Sequence, residues 1–227
     1  MNYLRIAICA SVVFFAGCAP SILVTKDYQD GSFSFGQVKN GSKVKLYVSK
    51  QVNLMEFKKA FINEYKSPRQ FTSVLLGQVA DSMKSRLQCS VIIGDSLQDV
   101  SLLLSANLDQ NSIDQARALF DASGEDYFFV VRSIDISNSV SSSAPMYMAG
   151  GGMGGGGGVF VGGGSSEICV VTLHADLWNV KEKKKLLSCS ASGQSTVFMF
   201  FFRTALKDAM EQSIGHLLKY LSTGATN

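Results

Sequence analysis

A run of glycine occupies residues 150–158 and is broken only by Met153. Three more glycines stand at 162–164, and no charged residue occurs at 136–166. Glycine loses more backbone entropy on ordering than any other residue and offers no side chain to pack. This tract therefore cannot belong to a packed core, and we predict a mobile glycine-rich loop at 146–164 between two strands.

The same segment supports a second hypothesis, because apolar side chains flank the glycines. Methionine packs against varied surfaces, and exposed apolar patches mark interaction sites. We expect low-specificity binding of a partner protein or a membrane by this set: Met146, Tyr147, Met148, Met153 and Phe160. The run contains Gly-x-Gly-x-x-Gly by chance, but neither a helix signal nor a Lys-Ser pair follows it, so the sequence excludes nucleotide binding.

Cys18 follows Ala16 and Gly17 at the end of an apolar stretch that begins after Arg5. A positive start, a short apolar run and small residues are typical of a secretory signal, and the run is too short to span a bilayer as a helix. The spacing resembles the lipobox of bacterial lipoproteins. That resemblance implies that residues 1–17 are removed, that Cys18 is acylated, and that the acyl chains hold the protein in a membrane. Because Ala19 and not aspartate follows, we expect the periplasmic side of the outer membrane.

Composition limits the class of protein. Apolar residues make up 46% of the chain and charged residues 17%, which predicts a globular domain. The formal net charge of +3 is too small to indicate a nucleic-acid partner. Cys89, Cys169 and Cys189 remain after processing, an odd number without Cys-x-x-Cys spacing, so we predict neither a disulfide framework nor a metal site. Nothing in the sequence indicates a cofactor.

The mature chain divides into three parts. Residues 18–42 are polar and glycine-containing, and we predict a lipidated N-terminus and flexible tether. Residues 43–222 form the predicted domain, and 223–227 form a tail. Within the domain, periodicity predicts strands at 44–48, 91–93, 127–136, 168–180 and 186–196. It also predicts a helix at 97–108 and helices beginning near Asn53, Pro68 and Ser112.

The end of the chain predicts a hairpin followed by a closing helix. Lys181, Glu182, Lys183 and Lys184 form a charged turn, which places Cys169 opposite a residue near 196 and away from Cys189. The helix presents one apolar stripe: Ala205, Leu206, Ala209, Met210, Ile214, Leu217, Leu218 and Leu221. We predict a single α+β domain, a mixed, mostly antiparallel sheet with helices packed on one face.

This order of elements, together with the lipobox, resembles the periplasmic domains of outer-membrane lipoproteins related to the curli secretion channel and to the activators of penicillin-binding proteins. The residues that carry the resemblance are 126–131 (DYFFVV), 173–180 (LHADLWNV), 186–193 (LLSCSASG) and the terminal helix. The resemblance implies a protein without catalytic activity that binds, scaffolds or regulates other envelope proteins. A second copy of the chain, in a homo-oligomer, is a further candidate partner. A subunit of an outer-membrane secretion channel is one alternative.

An enzyme is the other alternative. His174 and Asp176 share one face of a strand, which permits a periplasmic hydrolase in which the histidine activates a nucleophile. Neither Gly-x-Ser-x-Gly nor His-Glu-x-x-His is present. A histidine on a strand is more often packed or hydrogen-bonded, so we expect no catalytic residues.

Overall fold

The computed structural model describes residues 23–54, 58–94, 101–103, 110–142, 146–148, 159–161, 165–197 and 201–226. Cys18 and Met153 lie outside the described residues. The strands are β1 Val24–Gln29, β2 Lys43–Val48, β3 Val52–Leu54, β4 Ser90–Ile93, β5 Tyr127–Ser142, β6 Met146–Met148, β7 Val159–Val161, β8 Ser165–Asn179 and β9 Lys184–Thr196. The helices are α1 Lys58–Tyr65, α2 Pro68–Leu87, α3 Gln110–Asp121 and α4 Phe202–Thr223, and residues 101–103 are also helical.

The main sheet has the order β1-β9-β8-β5-β2-β4, and β3 pairs with β5 further along the same edge as β2. The long pairs, β1 with β9, β9 with β8 and β8 with β5, are antiparallel. The short strands β2, β3 and β4 add parallel pairs. The predicted α+β class, a mixed and mostly antiparallel sheet in a single domain, is confirmed.

The main core lies between one face of this sheet and the helices α1, α2 and α4. Strand residues such as Leu46, Phe129 and Leu173 alternate into it and are fully buried. All eight positions of the predicted stripe on α4 are buried against the sheet or α2. Pro68 begins α2 as predicted, and Ser67 caps it by accepting a hydrogen bond from the Gln70 amide.

A smaller core covers one end of the opposite face. Phe128 points away from its neighbour Phe129, and its ring stacks on Phe120 of α3 at a centroid distance of 5.1 Å. Trp178 lies 5.9 Å from Phe120 and is also buried. Strand alternation therefore gives β5 and β8 an apolar residue on both faces at this end.

The predicted tether is wrong from residue 23 onward. Strand β1 pairs with β9 along Val24–Gln29, and Val24, Phe33 and Val38 are buried in the main core. The polar composition concealed this because β1 is an edge strand whose other side chains face solvent. Only residues before Leu23 remain available as a tether.

Two predicted helix starts are displaced. Asn53 does not cap a helix, because it lies in β3 and its side-chain amide donates to Asp135 Oδ1 at 2.7 Å. Ser112 lies inside α3, which begins at Gln110. The strand predicted at 91–93 exists, but Ile92 and Ile93 are 46% and 43% exposed because β4 is a sheet edge. Pairing in the sheet overrides the local capping signal at Asn53.

The predicted glycine-rich loop contains regular structure. Strands β6 and β7, which lie between β5 and β8 in the sequence, pair antiparallel with Tyr147 opposite Phe160 and form a small two-stranded hairpin. Residues 149–158 and 162–164 lie outside the described residues, so the predicted mobility of the loop stays a prediction.

Candidate functional site

The central strands carry a row of polar side chains on the face opposite the main core. Along β8, Leu173, Ala175 and Leu177 are buried in the core, so His174 and Asp176 project from the other face. Strands β1, β5 and β9 add polar residues beside them. We call the following set the polar face: Asp27, Arg132, Asp135, His174, Asp176, Lys185, Ser188 and Ser190.

His174 is held between two strands. Its Nε2 lies 2.8 Å from Asp135 Oδ2 on β5, and its Nδ1 lies 2.7 Å from Ser190 Oγ on β9. Because a carboxylate only accepts hydrogen bonds, Nε2 carries the proton of this pair. Asp135 is fixed in turn by the Asn53 amide of β3. The imidazole is one-quarter exposed, so it is oriented by its neighbours and still reaches the surface.

Asp176 is a buried charge with several partners. It is 2% exposed, and its carboxylate accepts from Ser188 Oγ at 2.6 Å. Lys185 Nζ lies 3.1 Å from Oδ2, and Arg132 Nε lies 3.6 Å from Oδ1. A carboxylate so far removed from water is tolerable only with such compensation. The pairing of His174 with Asp176 proposed for a hydrolase is therefore not the arrangement in the structure, where Asp135 takes that place.

Arg132 connects the two ends of the polar face. The register between β5 and β8 shifts between Val131 and Ser133, and Arg132 is the extra residue of this bulge. Its guanidinium donates to Asp27 Oδ2 at 2.5 Å while it approaches Asp176. Sequence reasoning misses Asp27, because the polar composition of residues 18–42 predicts a tether and not a strand at this position. A bulge and a pairing across 105 residues leave no local signal.

Three side chains of the polar face have the residue types of a serine-hydrolase triad but not its surroundings. Ser190, His174 and Asp135 stand in the order nucleophile, base and acid, with hydrogen-bond distances of 2.7 and 2.8 Å. Ser190, however, lies inside β9 between Thr25 of β1 and His174 of β8. Acyl transfer also needs donors aimed at the developing oxyanion, and backbone amides in a sheet interior already serve the ladder. The arrangement is better suited to fixing charged groups at a surface.

The residues predicted to bind a partner fall on the small hairpin. Met146, Tyr147 and Met148 form β6, and Phe160 is the middle residue of β7, so the structure brings these four together. The hairpin is separate from the polar face in sequence and in sheet assignment.

The three cysteines in the described part of the chain lie outside the polar face. Cys89, Cys169 and Cys189 are buried free thiols, and Cys169 faces Ser195, one residue from the predicted position. Burial raises the pKa of Cys169 and of Cys189 to about 12. Within the described ranges, no three His, Cys, Asp or Glu side chains converge as metal ligands would.

Comparison with known proteins gives distant structural neighbours. No family model matches the sequence, and no curated protein matches it. The PelC dodecamer from Paraburkholderia phytofirmans is 16% identical, with 88% of this chain and 96% of that chain covered and a TM-score of 0.39. A hemagglutinin homologue from Helicobacter pylori is 11% identical, with 85% of this chain and 91% of that chain covered and a TM-score of 0.40. Lipoprotein GNA1162 from Neisseria meningitidis is 13% identical, with 68% of this chain and 83% of that chain covered and a TM-score of 0.28.

These similarities are too distant to transfer an activity, a partner or an assembly to this chain. The resemblance to the curli and penicillin-binding-protein-activator group also stays a prediction. No helix in the described part of the chain is both long and apolar enough to cross a membrane.

Proposed function

We propose that this chain is a lipid-anchored protein of the outer membrane whose periplasmic domain binds other envelope proteins and catalyses no reaction. Cys18 is the proposed anchor, and the polar face is the proposed contact surface. The observation that carries the proposal is the fixed array of charges from β1, β5, β8 and β9 on a partly exposed sheet face.

Prearranged charges favour recognition because they cost little to order when a partner arrives. Arg132, Asp27 and His174 keep between one-quarter and two-fifths of their side chains exposed while hydrogen bonds hold them in place. Complementary charge across an interface sets specificity and association rate more than affinity. We therefore expect a charged partner surface and an association that weakens as salt rises.

A photo-crosslinker at two matched positions tests the surface. Thr25 is exposed on β1 and opposes Ser190, so its side chain lies beside the polar face. Ser73 is an equally small, exposed residue on α2, on the helical side of the domain. In intact cells we expect the crosslinker at position 25 to capture a defined set of envelope proteins that position 73 does not. Identical capture from both positions would reject the polar face as the contact surface.

Membrane fractionation tests the anchor separately. Cys18→Ser removes the thiol that acylation requires, so we expect the precursor to remain unlipidated and the mature domain to lose its outer-membrane location. Mass spectrometry of the wild-type N-terminus should show the acyl chains. An unmodified Cys18 in protein from the native host would refute the anchor.

The chain Ser190–His174–Asp135 favours a second candidate, a hydrolase, for which the two distances of 2.7 and 2.8 Å are the specific support. Covalent labelling by a fluorophosphonate probe tests it, with Ser190→Ala and His174→Gln as the matched variants. Labelling that both variants abolish would establish a nucleophile. The proposal of a binding domain expects no labelling of Ser190.

A further inference from the structure

The chain enters β1 at the same end of the sheet at which β5 and β8 extend toward the uncharged segment 136–166. Strand β1 is antiparallel to β9, with Val24 opposite Ala191 and Gln29 opposite Leu187. The Ser192 amide donates to the Leu23 carbonyl, so the chain enters β1 from the direction in which β9 runs toward Thr196. That direction is also the one in which β5 and β8 extend beyond β9.

Beyond the end of β9, the strands β5 and β8 continue as a two-stranded extension. The last pair of β9 is Thr196 with Ile168, whereas β5 and β8 remain paired as far as Ser142 with Ser165. Strands β6 and β7 lie between β5 and β8 in the sequence and form a second antiparallel pair. We call this extension the arm and define it as 139–142, 146–148, 159–161 and 165–168.

The lengths of the N-terminal segment and of β8 show that the arm can reach the bilayer that holds the anchor. Four residues lie between Cys18 and Leu23. The five residue steps from one to the other span at most about 18 Å when fully extended. Leu23 lies at the level of Ser192, which opposes Thr172 on β8. From Thr172 to Ser165 the strand advances seven residues, or roughly 23 Å at its usual rise. Ser165, where β8 begins, is thus at least as far from the body of the domain as Cys18 can be.

The composition of the arm suits a bilayer surface. Glu167 is its only charged residue, and none occurs at 136–166, so contact with lipid removes no ion from water over that range. Tyr147 and Phe160 are register partners across β6 and β7, and aromatic residues favour the interface between headgroups and acyl chains. The opposite end of the sheet, at the β8–β9 turn, carries Lys181, Glu182 and Lys183.

We infer that the arm contacts the bilayer in which Cys18 is anchored and forms a second, non-covalent membrane attachment that sets the orientation of the domain. This inference rests on the proposed lipid anchor. It places the arm toward the membrane and the β8–β9 turn away from it, so that β8 and β9 run between the membrane side and the far side of the domain. A single lipid anchor leaves rotation free, whereas two contacts restrict it.

Fluorescence quenching by lipid tests the inference on the full mature lipoprotein. Trp178 is the only tryptophan of the chain, is 5% exposed and lies near the β8–β9 turn, so it supplies the same background in every variant. Phe160→Trp and Tyr147→Trp place a reporter on the arm, and Lys181→Trp is the matched control at the opposite end. The acylated proteins are incorporated into phosphatidylethanolamine–phosphatidylglycerol vesicles with or without bromine on the acyl chains.

We expect brominated lipid to remove most of the added fluorescence of the two arm variants and to leave that of Lys181→Trp unchanged. If the vesicles carry the protein but the arm variants behave like Lys181→Trp, the inference is wrong and the anchor stands. Equal quenching of all three variants would also overturn it, because the domain would then lack a preferred orientation. Protein that does not float with the vesicles would reject the anchor and the inference together.

Discussion

Gly193 of β9 lies directly against the backbone of Ala209 in α4. A β-carbon built at Gly193 would come within 2.0 Å of the Ala209 carbonyl oxygen and within 2.5 Å of the Ser213 amide nitrogen. Both contacts are to helix backbone, which cannot rotate away as a side chain can. The absence of a side chain at position 193 therefore determines how closely α4 approaches the sheet.

Gly193→Ala should destabilise the domain by about 2 kcal/mol or more, because α4 must move away from the sheet face against which its apolar stripe is buried. For a domain of this size that loss lowers Tm by roughly 4–8 °C, measurable by circular dichroism. Gly77→Ala is the matched control, since nothing lies within 4 Å of its added β-carbon in α2. The control should be neutral or stabilising by up to about 1 kcal/mol. Equal Tm values for the two variants would contradict the packing argument.

Asp176→Asn tests the buried charges of the polar face. Asparagine keeps the shape but leaves Lys185, only 14% exposed, and Arg132 without their shared carboxylate. Removing one partner of a buried pair costs about 3 kcal/mol, so the urea midpoint should fall. Asp114→Asn, in an exposed pair with Arg117, should change stability by less than about 1 kcal/mol. The prediction fails if the two variants unfold at the same urea concentration.

Asp30 should make the domain sensitive to acid. Hydrogen bonds from the Ser32 hydroxyl at 2.6 Å and amide at 2.9 Å, and then the Lys184 ammonium at 3.1 Å, hold the pKa of this carboxyl well below its usual range. A depressed folded-state pKa stabilises the protein above the unfolded pKa of about 4, and this contribution is lost as the pH falls below it.

The wild type should therefore exceed Asp30→Asn in stability at neutral pH and lose that advantage in acid. Carboxyl chemical shifts followed against pH by NMR would measure the Asp30 titration directly. Ser32→Ala should move the pKa of Asp30 upward, because the hydrogen bond from the serine hydroxyl is the largest cause of the lowered pKa. An Asp30 that titrates at the ordinary value in the wild type would count against the turn geometry.

Elements with a repeating apolar pattern were predictable from the sequence. The stripe on α4 spans several turns, and each of its positions is buried, because helical spacing directly states which residues share a face. The β8–β9 register was predictable for a similar reason: the charged turn fixes the pairing, and Cys169 lies opposite Ser195.

Features that depend on distant pairing were not predictable. Strand β1 has only one buried residue, Val24, so its sequence resembles a linker until β9 is placed beside it. The contact of His174 with Asp135 depends on a bulge at Arg132, which shifts the register of β5 against β8. Sequence placed His174 on the correct face but could not select Asp135 over Asp176 as its partner.

Cys169 and Cys189 should make the reactivity and the stability of the domain depend on pH in the alkaline range. Burial raises the pKa of Cys169 and Cys189 to about 12, with nearby carboxylates as the smaller cause. Thiolate is the reactive form, so at pH 8 both residues should resist a disulfide-exchange reagent in the native Cys18→Ser protein and react at once in urea.

Because unfolded thiols ionise near pH 9, each of these two cysteines should also lower the stability of the domain by about 1 kcal/mol at pH 10. The free energy of unfolding should therefore fall less between pH 8 and pH 10 in Cys189→Ala than in the wild type. This comparison does not depend on how stable the variant is at pH 8. Rapid labelling of Cys169 and Cys189 in the native protein would show that β8 and β9 open readily and would refute the burial of these two thiols.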